Sequence, residues 1–399
     1  MVKRTAYLDQ LISMRDKKVI KVVTGIRRAG KSTLLLQYID YLKEQGVEDR
    51  RIVYINLESA KYDDIESYQQ LYSYVEQRIR TQEIHYVIID EIQNVEHFEK
   101  AVNSLQVDFN VDLYLTGSNA KMLSSELATL LSGRYLELRV FPFSFKEYYQ
   151  IWHEKSKEDA FQQYLKYGGF PFVATEEDAQ LINNYLDGIY NTIVLKDVVN
   201  RNAIKDVMIL ERLLKMVMSS IGSPMSSSSI AKALKNENRK VSNETIDRYL
   251  KMFEDAFIID GTSRFDIKGK EYLKTLGKYY VADMGLRNHI LGFRQIEPGH
   301  ALENIVYMEL LRRGYAVDTG KVGDNEIDFV ARTQSSVEYY QVSYTVNDSE
   351  DTLNREIRPF NHTLDHNMKI LLTMDRDIVC DIDGIRKYYI VDWLLDCES

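Results

Sequence analysis

Cysteine is nearly absent: the chain of 399 residues has two, Cys380 and Cys397. They have no metal-ligand spacing and build no disulfide framework, which fits a reducing compartment. An excess of positive charge is also missing. The formal net charge is −9, so the chain as a whole carries no electrostatic footprint for nucleic acid, although a local basic face stays open. No apolar run reaches the roughly 18 residues a membrane helix needs. The start, MVKRTAYLDQLISMRDKK, is charged throughout and lacks a signal-peptide core. A cytoplasmic protein without a membrane partner is therefore expected. There is no internal repeat, and the one biased stretch is four serines at 226–229.

What is present is ordinary for a globular protein: 45% hydrophobic and 28% charged residues. At roughly 100–200 residues per domain, the length suggests two to three domains. Residues 1–142 alternate apolar strands (19–24, 52–56, 86–90, 112–116 and 135–140) with helical patterns such as 32–45 and 98–107. That alternation predicts a parallel sheet covered on both faces. Residues 143–290 are mostly helical in pattern, at 145–152, 159–166, 178–196 and 206–220, with the turn Gly168-Gly169-Phe170-Pro171 between. From 229 onward a short helix, a polar turn, a second helix at 243–253 and a two-stranded ribbon at 257–274 have the layout of a winged helix-turn-helix. Residues 291–399 return to mixed α/β, with a helix at 302–313 and strands at 316–319, 326–331, 337–342, 369–373 and 388–391.

The strongest motif is Gly25-Ile26-Arg27-Arg28-Ala29-Gly30-Lys31-Ser32, followed by Thr33. It follows an apolar, β-branched strand and opens a helix, which is the setting a phosphate-binding loop requires. Glycines let the backbone wrap phosphates, and the helix N-terminus adds partial positive charge. Lys31 is expected on the β- and γ-phosphates of ATP and Ser32 on Mg2+. Arg27 and Arg28 are expected to be solvated or to meet a partner. The apolar strand 86–90 ends in Asp90-Glu91, which places Asp90 to coordinate magnesium and Glu91 to act as general base toward water. The strand 112–116 runs into Gly117-Ser118-Asn119; Ser118 and Asn119 are equal candidates to sense the γ-phosphate, or a simple helix cap. Arg134 either reaches a neighbour's γ-phosphate, which would require a homo-oligomer, or is an ordinary surface arginine.

Taken in order, GIRRAGKSTLL, VIIDEIQN, LTGSNAKML and LSGRYLELRVFPFSFKEY resemble the bacterial and archaeal AAA+ ATPases that carry a degenerate endonuclease-like C-terminal domain. GGFP at 168–171, LKDVVNR at 195–201, YYVADMGL at 279–286 and ALENIVYMELLRRG at 301–314 extend the resemblance over almost the whole chain. It implies an α/β fold: a P-loop AAA+ parallel-sheet core over 1–142, a helical lid over 143–221, a winged helix over 222–290 and a restriction-endonuclease-like α/β domain over 291–399. A second arginine of the lid has no clear equivalent; Arg201 stands nearest.

Between Ile230 and Lys278 there are eleven Lys/Arg against eight Asp/Glu, a net of +3 in an acidic chain. Lys232, Lys235, Arg239, Lys240, Arg248 and Lys251 are candidate phosphate contacts to DNA; a winged helix used for packing, with solvated charges, is the alternative. A restriction-like nuclease needs a carboxylate on one strand and Glu-x-Lys on the next, with metal ions between. Asp328 and Glu303 supply carboxylates, but Gln341 and Ser343 stand where glutamate and lysine belong, so no nuclease activity is expected unless a lysine arrives from elsewhere in the fold. The leading expectation is an ATPase that couples nucleotide state to a DNA or protein partner. The alternatives are a slowly hydrolysing nucleotide-gated switch, such as a regulator or defence sensor, and an ATP-gated nuclease.

Overall fold

The computed structural model describes residues 2–118, 133–200, 202, 204, 206–236, 241–273, 277–293, 297–363, 365–376 and 381–396. The chain separates into two compact units: residues 1–142 with 255–257, and residues 143–254 with 258–399.

Five strands form the sheet of the first unit: β1 (Ile20–Thr24), β2 (Ile52–Asn56), β3 (His85–Asp90), β4 (Val111–Thr116) and β5 (Tyr135–Arg139). All pairings are parallel and the order is β2-β3-β4-β1-β5. Every residue of β1 and of β3 is buried, as expected of strands covered on both faces. One face packs Ile20, Val22, Val87, Ile89, Leu113 and Leu115 against Leu71 and Val75 of helix Tyr68–Glu76 and Ala101, Val102 and Leu105 of helix Phe98–Asp108. Helix Thr5–Met14 is an element that the charged N-terminal pattern did not announce. A buried ion pair, Lys21 with Asp112, links β1 to β4; Tyr114 donates to Asp112 at 2.9 Å.

In the second unit the helices Phe145–Tyr149, Lys157–Tyr167, Ala179–Asn191 and Val207–Ser219 fall within two residues of the expected starts. The helical pattern at 178–196 changes character after Asn191, where Thr192–Asn200 continues as a π-helix. Ser227–Asn236 and Asn243–Asp255 form the helix pair. The ribbon that follows is not a free wing. Strand β6 (Ile259–Gly261) pairs with β9 (Tyr279–Val281), and β7 (Arg264–Asp266) pairs with β8 (Glu271–Leu273). Strand β7 also pairs in parallel with β10 (Ala316–Val322) and so joins the C-terminal sheet. With β11 (Asn325–Arg332), β12 (Val337–Val342), β13 (Met368–Thr373), β14 (Asp381–Ile382) and β15 (Ile385–Tyr389), that sheet has eight strands in the order β14-β15-β13-β12-β11-β10-β7-β8. The sheet thus crosses the expected boundary at 290/291. Ile267, in the β7–β8 turn, packs into the same core as Val322, Ile327, Val330 and Phe360.

Candidate functional site

The loop after β1 has the backbone its glycines predict. Gly25 lies at φ +133, and a Cβ there would meet the Val140 carbonyl oxygen at 2.0 Å. Gly30 (φ +94) precedes helix Lys31–Glu44 in the left-handed region, and Arg28 (φ +68) is left-handed as well. Alternating backbone of this kind turns successive N–H groups to one side and makes an anion nest. Lys31 is buried, and its ammonium donates to the carbonyls of Gly25 (2.9 Å) and Ile26 (3.2 Å). Ser32 and Thr33 are half-buried on the first helical turn, and Ile26 and Ala29 are buried. Arg27 pairs with Glu58, while Arg28 is exposed.

Strand order decides what stands beside this loop. Strand β4 lies between β1 and β3, so the end of β4 separates the loop from Asp90-Glu91. Asp90 is fully buried; Thr116, the last residue of β4, donates its hydroxyl to the Asp90 carboxylate and accepts from the Glu91 amide at 2.8 Å. Tyr54 of β2 donates to Asp90 at 3.3 Å, and burial together with that carboxylate pushes the phenol well up, so it remains a donor. Glu91 lies in the left-handed region (φ +57) and its carboxylate accepts from Gln93. Ser118 is 1% exposed and its Oγ has no hydrogen-bond partner among the described residues. A buried hydroxyl left without a partner costs about 1–3 kcal/mol, so it marks a position awaiting one. Thr116, Tyr54 and Gln93 are additions to the residues expected from sequence; only Thr116 had a signal, its place at the end of the strand. Asn119 lies outside the described residues. The Arg134 residue is exposed, and its carbonyl accepts from Ile20 at 2.9 Å.

Magnesium on a nucleotide needs few protein ligands, since phosphates and waters fill the rest of its octahedron. The Ser32 hydroxyl and Asp90 carboxylate are hard oxygen donors of that kind. No group of three or more His, Cys, Asp or Glu side chains able to hold a metal occurs among the described residues.

In the second unit, Glu303 and Asp328 do come together, and a lysine arrives with them. Lys278, just before β9, is buried with its ammonium 2.9 Å from Glu303, 2.8 Å from Glu326 and 3.9 Å from Asp328. Burial disfavours the ammonium, but these carboxylates outweigh it and hold Lys278 above its ordinary value. Burial and the charge of Glu303 push Asp328 well up. Burial acts on Glu303 the same way, but His300, Lys278 and Tyr280 prevail and hold it down. Gln341 accepts from the Asp328 amide at 3.3 Å and donates to Glu356 at 3.1 Å, so its amide is a bridge within the fold. Ser343 donates to the Thr345 carbonyl.

Lys232, Lys235, Arg248 and Lys251 are exposed on the helix pair; Lys251 pairs with Glu254 at 3.6 Å. Arg239, Lys240 and Arg201 lie outside the described residues. No helix among the described residues is long and apolar enough to cross a membrane.

An AAA domain family model matches residues 17–149, and a domain of unknown function (DUF8612) matches residues 158–297. An uncharacterized protein of Haemophilus influenzae is 43% identical over 400 residues, 99% of each chain. An uncharacterized protein of Methanocaldococcus jannaschii is 31% identical over 361 residues, 86% of this chain and 78% of that one. Among solved structures, the Walker-type ATPase PABY2304 of Pyrococcus abyssi aligns at TM-score 0.47 and 15% identity, over 73% of this chain and 96% of that one. The ORC1 protein of Aeropyrum pernix, solved with DNA, aligns at TM-score 0.34 and 12% identity, over 73% and 93%. The chain belongs to the family of these Haemophilus and Methanocaldococcus proteins, and it carries an AAA domain over residues 17–149.

Proposed function

We propose that the chain is an ATP hydrolase of the AAA+ type that requires Mg2+. The observation that carries this reading is the buried Ser118 hydroxyl just after β4, which has no hydrogen-bond partner among the described residues and follows the strand that lies between those of the Lys31 loop and the Asp90-Glu91 pair. In this proposal the loop amides and Lys31 bind the β- and γ-phosphates. Ser32 and Asp90 hold magnesium, which when bound neutralises phosphate charge. Glu91 takes a proton from the attacking water, and Ser118 donates to a γ-phosphate oxygen or to that water. Thr116 holds the Asp90 carboxylate and the Glu91 backbone amide. Glu91→Gln tests the assignment: ATP affinity should stay within about threefold while turnover falls at least about 100-fold. Wild-type turnover in that variant would remove Glu91 from the mechanism.

A second reading, a slow nucleotide-gated switch, draws support from Gln93, whose amide already occupies the Glu91 carboxylate. Basal turnover is then slow until a partner draws Gln93 away, and Gln93→Ala should raise it. The exposed Lys232, Lys235, Arg248 and Lys251 make DNA the first partner to test, and the exposed Arg134 makes a homo-oligomer the second. The C-terminal cluster is read as structural rather than nucleolytic, because Lys278 fills the point on which Glu303, Glu326 and Asp328 converge.

A further inference from the structure

Arg4 stands at the N-terminus of helix Thr5–Met14 and is 2% exposed, among the most deeply buried large side chains of the chain. Its guanidinium lies 4.4 Å from the ring centre of Tyr7 and its Nη1 donates to the Ala29 carbonyl at 2.9 Å. Burial of an arginine is costly, so this geometry is maintained by several contacts. The Arg4 amide donates to Gln37 at 3.2 Å, and Gln37 returns a bond to the Val2 carbonyl at 2.8 Å. The Tyr7 hydroxyl accepts from the Phe141 amide at 3.3 Å. Residues 2–7 are thereby tied to the phosphate loop, to the helix that follows it and to the chain leaving β5.

Ala29 and Gly30 share one peptide plane, and in a trans peptide the carbonyl and the N–H point in opposite directions. A donor that holds the Ala29 carbonyl also fixes where the Gly30 N–H points. Gly30 can rotate more freely than any other residue type, so without such a hold this plane is the one most easily turned over. We infer that Arg4 is a positioning residue of the nucleotide site: it holds the Ala29–Gly30 peptide so that the Gly30 N–H faces the phosphates. The inference rests on the nucleotide-site reading above.

In this inference the Gly30 amide binds the phosphates equally in substrate and transition state, so losing its alignment raises KM and leaves kcat largely intact. The test uses the full chain, with ATP binding followed by titration calorimetry and turnover measured at saturating Mg2+. Arg4→Met keeps the apolar stem over Tyr7 and removes the donor; it should raise Kd and KM about tenfold with kcat within about threefold. Arg4→Lys restores a cationic donor and should return both to within about threefold of wild type. A KM unchanged in R4M, a fall in kcat at constant KM, or an R4K as weak as R4M each overturns the assignment. Thermal melts without nucleotide report folding, and if R4M does not fold, R4Q is put through the same comparison. Failure of the unsubstituted protein to bind ATP refutes the nucleotide reading before any Arg4 variant is measured.

Discussion

Lys278→Met isolates the electrostatics of the second unit. The ammonium is buried and contacts Glu303 and Glu326 within 3 Å, with Asp328 at 3.9 Å. Methionine fills nearly the same volume without the charge, so packing is largely preserved. Taking one partner from a buried ion cluster typically costs about 3–5 kcal/mol, because the remaining charges stay uncompensated. Here Tyr280 still donates to Glu303 at 2.5 Å and the Val342 amide to Asp328 at 2.9 Å, which places the expected loss at the lower end, about 3 kcal/mol. The loss should depend on pH. Without Lys278 the folded-state values of Glu303 and Asp328 both rise. An acid raised on folding contributes stability at low pH that is lost as pH climbs through the folded value. His300, facing Glu303 at 3.6 Å and raised by that contact despite burial, gains its proton in the same direction. Denaturant unfolding of the full chain, wild type against K278M, should therefore show a larger deficit at pH 8.5 than at pH 5.5. Adding Asp328→Asn, which imitates the protonated acid, should recover part of the deficit at the higher pH. Equal losses at both pH values, or no loss at all, would refute the account of the cluster.

Ser118→Ala separates function from stability. Removing a buried hydroxyl that has no partner among the described residues should leave the nucleotide-free protein as stable as wild type or about 1 kcal/mol more so, while ATP turnover falls at least about tenfold. A destabilised S118A with normal turnover would count against it. Gly25→Ala drives a Cβ to 2.0 Å from the Val140 carbonyl at φ +133, so ATP binding should fall below detection by calorimetry; an affinity within threefold of wild type would show that the loop yields. Asp283, which accepts from the amides of Gly169 (2.7 Å) and Leu286 (2.9 Å), is pushed up to about 6 by burial. As a raised acid it loses stability between about pH 4 and 6, and Asp283→Asn should flatten that part of the stability curve.

The first sheet was legible because its signals are local. An apolar β-branched run, a glycine loop and an amphipathic helix follow each other directly, and β1 to β5 start and end within one residue of the patterned segments. Asp90 and Glu91 could be named because a carboxylate is conspicuous at the end of a wholly apolar strand. Thr116 was harder, since a threonine is unremarkable there until β3 and β4 are set side by side. The C-terminal cluster was half legible. Glu303, Asp328 and Gln341 lie on predicted elements and Ser343 directly follows one, but Lys278 reaches Glu303 across 25 residues and no periodicity encodes that approach. Glu356 meets Gln341 in the same way, from the helix Glu350–Asn361 that the strand pattern of this region did not announce. The helix-turn-helix pattern correctly located two helices but not the destiny of its ribbon, because an edge strand carries the same alternation whichever sheet it joins.

The parallel pairing of β7 with β10 also sets the timetable of biosynthesis. The β7–β8 hairpin leaves the ribosome well before the strand it must pair with; the contact between Thr262 and Thr319 alone spans 57 residues. Until β10 follows, Arg264–Asp266 keeps an open row of backbone donors and acceptors, and Ile267 has no core to enter. Nascent chains halted shortly after residue 297, where the second family match ends, carry that unfinished edge. They are the intermediates from which aggregation and chaperone capture should begin.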